Sequence, residues 1–363
     1  MKLTVLKNET VGTIPDALTL MDGTPVTDRL TWERRRAEMA ELAIGLQFGG
    51  MPPEPDFLDA EPLDDRGWGE IRGFRVTTGR RGCPVTMEIY AALPETPGKY
   101  PVIVDGDPGG TYLEGREALA KRINERGAVY AGFTKHTLAP DRVSDRNEGL
   151  YAAYPELGFS CLSAWAWGYH RTADALILLG LADEGRFVYT GHSRGGKTAL
   201  LAGATDARAA IVNPAGSGCG GAGLYHVRME ALTSDGEARR NERLDDIVTR
   251  FPYWFGEGMK DYIGRDAELP FDEHFMAALV APRFLLLNEG IDDIWASPVG
   301  TLRMIEEAKK IYAFLGAPGN LRAKWRAGGH SHSETDWEAL LDAMDHVFGG
   351  RPLPAGFEEF PEF

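Results

Sequence analysis

The stretch Thr190-Gly191-His192-Ser193-Arg194-Gly195-Gly196-Lys197 sets a serine between glycines. It follows the apolar run Phe187-Val188-Tyr189 and precedes the helix-capable Thr198-Ala199-Leu200-Leu201-Ala202. A G-x-S-x-G pentapeptide is common by itself, but between a strand and a helix it has the form of a nucleophile elbow. The sharp turn strains the serine backbone and leaves no room for side chains at the flanking glycines. The serine then stands at a helix N-terminus, where amide N–H groups and the dipole favour an oxyanion. Serine is a weak nucleophile at its own pKa, so an imidazole must take its proton and an acid must orient that imidazole. In such elbows the chain order is serine, acid, histidine.

His330, in Gly328-Gly329-His330-Ser331-His332, is the best placed of eight histidines, because it follows the last predicted strand and precedes the last helix. His332 is its rival, while His192, His226 and His274 read as hydrogen-bonded structural residues. A metal reading of His330-x-His332 lacks a nearby third ligand. For the acid, the turn Glu289-Gly290-Ile291-Asp292-Asp293-Ile294-Trp295 follows the strand that ends near Leu287, and three carboxylates compete there.

The elements that must position these residues alternate along the chain. Residues 31–46 have helical spacing and stop at Gly49-Gly50 and Pro52-Pro53, predicting an N-terminal helical extension, within residues 1–65, packed on the remainder. Short β-like runs over 69–93 suit antiparallel strands at a sheet edge. Strands are then expected at 100–104, 128–131, 187–189, 209–212, 283–287 and 321–325. Helices are expected at 163–182, after Ser193, at 299–315 and at 334–347. Such alternation predicts an α/β fold with a mostly parallel sheet between two helical layers, forming one domain over residues 1–363.

Composition narrows the partners. A formal charge of −15 and the absence of any basic block exclude nucleic acid as an expected partner. The three cysteines, Cys83, Cys161 and Cys219, contain no C-x-x-C pair and suggest neither a disulfide framework nor a zinc knuckle. The first nine residues carry charges where a secretory peptide needs an apolar core, and no later run approaches a membrane span. The expectation is a soluble, cytoplasmic chain without a membrane partner.

Several longer motifs carry a resemblance. Ala164-Trp165-Ala166-Trp167-Gly168-Tyr169-His170-Arg171, the elbow from Gly191 to Lys197, and Ser217-Gly218-Cys219-Gly220-Gly221 resemble the bacterial glucuronoyl methylesterases, carbohydrate esterase family 15. The match continues through Phe251-Pro252-Tyr253-Trp254-Phe255, Leu269 to His274, Ala281-Pro282-Arg283 and His330…Asp336-Trp337, and covers most of the chain. The resemblance implies the α/β-hydrolase fold, no cofactor, Ser193 as nucleophile and His330 as general base. It implies that Arg194 supports the oxyanion with its backbone N–H and guanidinium, that Lys197 donates to sugar hydroxyls, and that Trp295 lies against the pyranose. Read by themselves, Arg194 and Lys197 are cations that oppose the dipole of the helix they begin, and so need some other benefit. One position departs: fungal relatives carry the acid in P-Q-E-S-G, where this chain has Pro214-Ala215-Gly216-Ser217-Gly218. Bacterial relatives have an acidic D-x-W stretch later, which Asp293-Ile294-Trp295 fits, so the resemblance favours Asp293 with Asp292 and Glu289 in reserve.

The leading expectation is a serine esterase that cleaves esters of 4-O-methyl-glucuronic acid through an acyl-enzyme. An acetyl-sugar esterase or another carboxylesterase on the same scaffold is the alternative, since a fold does not fix a substrate. From another class, loss of the acid at 216 raises an inactive carbohydrate-binding relative.

Overall fold

Side chains that alternate between two faces build the centre of the protein, whose computed structural model describes residues 3–63, 71–106, 115–357 and 361. Its strands are β1 (Thr4–Thr10), β2 (Phe57–Pro62), β3 (Ile71–Arg80), β4 (Cys83–Ala92), β5 (Tyr100–Asp105), β6 (Val129–Phe133), β7 (Ala182–His192), β8 (Ala209–Ala215), β9 (Val227–Leu232), β10 (Ala238–Arg240), β11 (Phe284–Gly290) and β12 (Leu321–Arg326). The α-helices are α1 (Arg29–Ala40), α2 (Glu117–Glu125), α3 (Gly149–Ala153), α4 (Cys161–Leu178), α5 (Arg194–Thr205), α6 (Leu244–Arg250), α7 (His274–Val280), α8 (Pro298–Phe314) and α9 (Glu334–Gly349).

One sheet runs in the order β12-β11-β8-β7-β5-β6-β4-β3-β2. The six strands from β12 to β6 are parallel, and β4, β3 and β2 continue it as antiparallel neighbours. Along the parallel strands the period of two divides the core. Val102, Val104, Tyr189, Val212, Leu285 and Leu287 pack with α4, α5 and α8. Ile103, Tyr130, Val188, Ile211 and Leu286 face the other way, onto α2 and α9. This is the three-layer arrangement that the alternation of elements predicts, in the α/β-hydrolase form that the resemblance implies. Burying both faces is what a parallel sheet requires, and each buried aliphatic side chain contributes roughly 1.5–3 kcal/mol.

Several boundaries differ from expectation. The helix expected over 163–182 ends at Leu178, because Gly180 takes φ +72° and closes a Schellman cap. The Gly180 and Leu181 amides donate to Ile177 and Leu176. Ala182 already belongs to β7, where it pairs with Tyr100. The helix expected over 31–46 is α-helical to Ala40 and continues as a π-helical turn over Glu41–Leu46. Of the β region expected from 69 to 93, residues 69 and 70 lie outside the described residues, and the rest is the β3–β4 hairpin. The extension over 1–65 contains two strands as well as a helix. β1 pairs with β9 in a small second sheet completed by β10, and β2 forms the outer edge of the main one.

The tryptophans of α4 tie loops to the core. The Trp167 indole donates to the Pro53 carbonyl (2.8 Å) and the Trp165 indole to the Ala139 carbonyl (2.9 Å). From the extension itself, Gln47 donates to Glu273 (2.7 Å), while Trp32, Met39 and Phe48 are buried in the core.

Helix α5 lies close on β8 because Gly203 has no side chain: a Cβ there would stand 2.3 Å from a Val212 methyl. Ala would gain about 1 kcal/mol of helix propensity, against roughly 1–3 kcal/mol for overpacking against a stiff β-branched neighbour. Gly203→Ala is therefore expected to lower the urea midpoint, and Val212→Ala to restore part of the loss in the double variant. A Gly203→Ala protein as stable as the parent would show that the helix is not held at this distance.

Candidate active site

The C-terminal ends of β7, β8, β11 and β12 meet on one edge of the parallel sheet, where open α/β sheets bind ligands. At the end of β7 the chain turns directly into α5, and Ser193 sits at the turn with φ +58° and ψ −122°. A non-glycine residue in that region costs of the order of 1–3 kcal/mol and persists only when its surroundings fix it. Here they do: the Ser193 amide donates to Ala215 O (3.0 Å) and its carbonyl accepts from Lys197 N (3.0 Å). The neighbouring glycines are required by space. A Cβ at Gly191 would lie 2.5 Å from the Gly195 backbone, and one at Gly196 would lie 2.9 Å from Ala215 O. As first residues of α5, Arg194 and Gly195 have N–H groups that no intrahelical carbonyl can take.

A cavity of about 380 Å³ opens over this turn, lined by Ser193 and Arg194, by Lys197, by Trp295 and by His330. Thus the serine and the distant histidine named from the sequence face the same space. The loop that carries His330 is wrapped around Arg326, whose guanidinium donates to Gly329 O (3.2 Å) and to Ser331 O (2.5 Å). Arg326 is held in turn by Asp336 (2.8 Å), which also caps α9 through Ser333.

The three competing carboxylates have three different positions. Asp293 Oδ2 is 2.6 Å from His330 Nδ1, and its other oxygen accepts from Ala296 N (3.3 Å). Asp292 turns to the backbone and accepts from Gly328 N (2.8 Å), fixing the start of the histidine loop. Glu289 is fully buried with neither carboxyl oxygen hydrogen-bonded, and burial, with the nearby Asp293 and Asp336 charges, raises its pKa well above the usual range. A group so placed favours its neutral form, and the His330 imidazole is paired with Asp293 and not with it. Because Nδ1 of His330 donates to Asp293, Nε2 is the nitrogen left for proton exchange.

The remaining histidines sort clearly. His332 stacks on Trp337 (4.4 Å) away from the cavity, and burial lowers its pKa to about 3, so it stays neutral. His226 pairs with the buried Asp272 (2.7 Å), and His274 with Pro15 O (2.8 Å), as structural residues. His192, expected in that group, forms part of the cavity wall, its ring 4.4 Å from that of His330. Gly216, the departure from the fungal pattern, has φ +50°, and a Cβ there would point at His192 Nε2 (3.1 Å) and Asp293 Oδ2 (3.9 Å).

Two residues expected to contact the sugar, Lys197 and Trp295, line the cavity. Lys197 is buried and donates to Ser217 O (2.5 Å) and Cys219 O (2.6 Å), and Trp295 stays half-exposed at the rim. Arg194 pairs with Asp141 (2.7 Å). Reading the sequence missed Glu242, a buried carboxyl in the same wall whose pKa burial raises. It stands among Arg239, Arg240 and Arg243, where an acid reads as solvated charge. Phe251 and Trp254 complete the wall as a stacked pair (3.9 Å, 9°). Among the described residues no group of three His, Cys, Asp or Glu is placed to hold a metal ion, and no helix is long and apolar enough to cross a membrane.

Comparison with known proteins points to one family. The family described as "Glucuronyl esterase, fungi" matches residues 76–316. The chain is 30% identical to the 4-O-methyl-glucuronoyl methylesterase of Schizophyllum commune, over 92% of this chain and 81% of that protein. Its structure is similar to that of a carbohydrate esterase family 15 glucuronoyl esterase from Caldicellulosiruptor kristjansonii, with TM-score 0.83 and 28% identity over 97% of this chain and 94% of that one. It is also similar to a glucuronoyl esterase variant from Sporotrichum thermophile in complex with methyl 4-O-methyl-β-D-glucopyranuronate, with TM-score 0.76 and 25% identity over 96% and 91% of the two chains. A family match over more than half of the sequence, joined to a serine elbow and an Asp-held histidine in one cavity, makes this chain a member of the glucuronyl esterase family of carboxylic ester hydrolases.

Proposed function

We propose that the chain hydrolyses alkyl or aryl esters of 4-O-methyl-glucuronic acid, with Ser193 as nucleophile, His330 as general base and acid, and Asp293 as the residue that orients His330. The observation that carries this reading is the 2.6 Å contact between Asp293 and His330 in the cavity that also contains the strained Ser193. Relatives named 4-O-methyl-glucuronoyl methylesterase, and the methyl ester bound in the Sporotrichum thermophile complex, support the choice of acid.

Ser193 Oγ adds to the ester carbonyl while His330 Nε2 takes its proton. Negative charge then develops on the carbonyl oxygen, beside the N-terminal amides of α5 and the Arg194 guanidinium, which are already oriented and need no rearrangement. The tetrahedral intermediate collapses, His330 returns the proton to the departing alcohol, and a glucuronoyl–serine ester remains. Water, deprotonated by His330, adds to that ester and releases the uronic acid, and the proton goes back to Ser193. Asp293 stabilises the imidazolium and fixes the Nδ1–H tautomer throughout. Lys197 and Glu242 supply a donor and an acceptor for sugar hydroxyls, and Trp295 supplies an apolar face for the ring.

Two outcomes are expected. Benzyl or methyl glucuronate is cleaved faster than an acetylated sugar, and Ser193→Ala abolishes both activities. Faster deacetylation would overturn the uronate reading, and no turnover on any ester would overturn the esterase. For the acid, Asp293→Asn is expected to lower kcat by roughly 10⁴, as loss of a triad acid's charge does in serine proteases. Asp292→Asn keeps an oxygen that can accept from Gly328, and is expected to cost less than about tenfold, since one hydrogen bond of about 1 kcal/mol is weakened. The reverse ranking would move the role to Asp292.

A further inference from the structure

The mechanism leaves one carboxylate beside the cavity unused. Asp141 lies on the segment after β6 and takes a donor on each oxygen. Arg194 Nη1 is 2.7 Å from Oδ2, and the Trp254 indole donates to Oδ1 (2.8 Å). Arg194 and Trp254 come from separate parts of the chain, the start of α5 and the turn after α6, and both line the cavity, while the Tyr253 hydroxyl also hydrogen-bonds to Asp141. The segment that presents Asp141 is itself fixed: Ala139 O accepts from the Trp165 indole (2.9 Å) and Leu138 O accepts from Leu150 N (2.8 Å). The Asp141 side chain is 16% exposed.

We propose that Asp141 is a positioning residue for ester hydrolysis, holding the Arg194 guanidinium and the Trp254 ring at once and so setting the cationic side of the cavity next to Ser193. The proposal rests on the reading of Arg194 as an oxyanion partner. Two effects of the carboxylate oppose each other. Its charge cancels part of the positive potential at Arg194, which slows the reaction, and its hydrogen bond removes rotational freedom from a long side chain, which speeds it. Orientation prevails, because Arg194 is 41% exposed and water screens the first effect but not the second. An ordinary surface ion pair would have one charged partner and little consequence. Here one carboxylate joins two walls of the site.

The test is a double-mutant cycle on benzyl glucuronate with Asp141→Asn, Arg194→Ala and the pair, each variant checked by thermal melting. Asp141→Asn is expected to lower kcat roughly 10- to 100-fold with KM within about threefold, and to have no further effect once Arg194 is Ala. If Asp141→Asn leaves kcat unchanged while Arg194→Ala lowers it, the proposal is overturned and the role of Arg194 stands. If Arg194→Ala keeps the parent kcat, both fall. Equal slowing by Asp141→Asn in the two backgrounds, or a large drop in its melting temperature, would make Asp141 a residue of the fold and overturn the proposal.

Discussion

The parallel ladder between β11 and β12 is the constraint on which the site depends. Its register runs from Leu285 opposite Leu321 to Gly290 opposite Arg326. It then continues into the loops, where the Ile291 amide donates to Arg326 O and the Asp292 amide to Gly328 O. Asp293 and His330 therefore leave the sheet side by side, although 36 residues of helix and strand separate them. Gly290 allows this closeness, since a Cβ there would lie 2.6 Å from Gly328 O. A slip of one residue by β12 would turn its own side chains to the opposite face and shift the His330 loop away from Asp293.

The same geometry bears on the glycine at 216. The backbone of Gly216 is tied to β11 through its amide and Asn288 O (2.9 Å), so its Cβ direction points into the region occupied by His192 and the Asp293 carboxylate. A Cβ at 216 would thus stand beside the His192 ring and 3.9 Å from the Asp293 carboxylate that contacts His330. The positive φ at 216 together with the His192 ring makes glycine the fitting residue here.

Much of this was legible before any coordinates, for physical reasons. The parallel core strands are continuous apolar runs because both faces are covered, and the elbow is local, so its glycines and serine are contiguous. His330 could be placed because it follows the last strand. The acid could not be chosen from the turn alone, since Glu289, Asp292 and Asp293 differ only in where three-dimensional packing sends each carboxyl. The small β1–β9–β10 sheet escaped because β1 is polar and largely exposed, with no apolar alternation to mark it. Glu242 and Asp141 belong to the site through contacts between distant segments, which no spacing encodes. The end of α4 is ambiguous locally, as Gly180 followed by Leu181-Ala182 reads equally well as helix or as a cap.

Glu289 has a consequence for the energetics of the whole chain. Burial lets its carboxyl hold a proton to higher pH in the folded chain than the same group does in an unfolded one. Unfolding at a pH between the two midpoints therefore releases a proton at this position. By linkage, its contribution to stability is complete under acidic conditions and declines as the medium becomes more alkaline than an ordinary glutamic acid's midpoint. A chain with formal charge −15 already repels itself more strongly as alkalinity rises, so the buried acid and the crowded surface anions pull the balance in one direction.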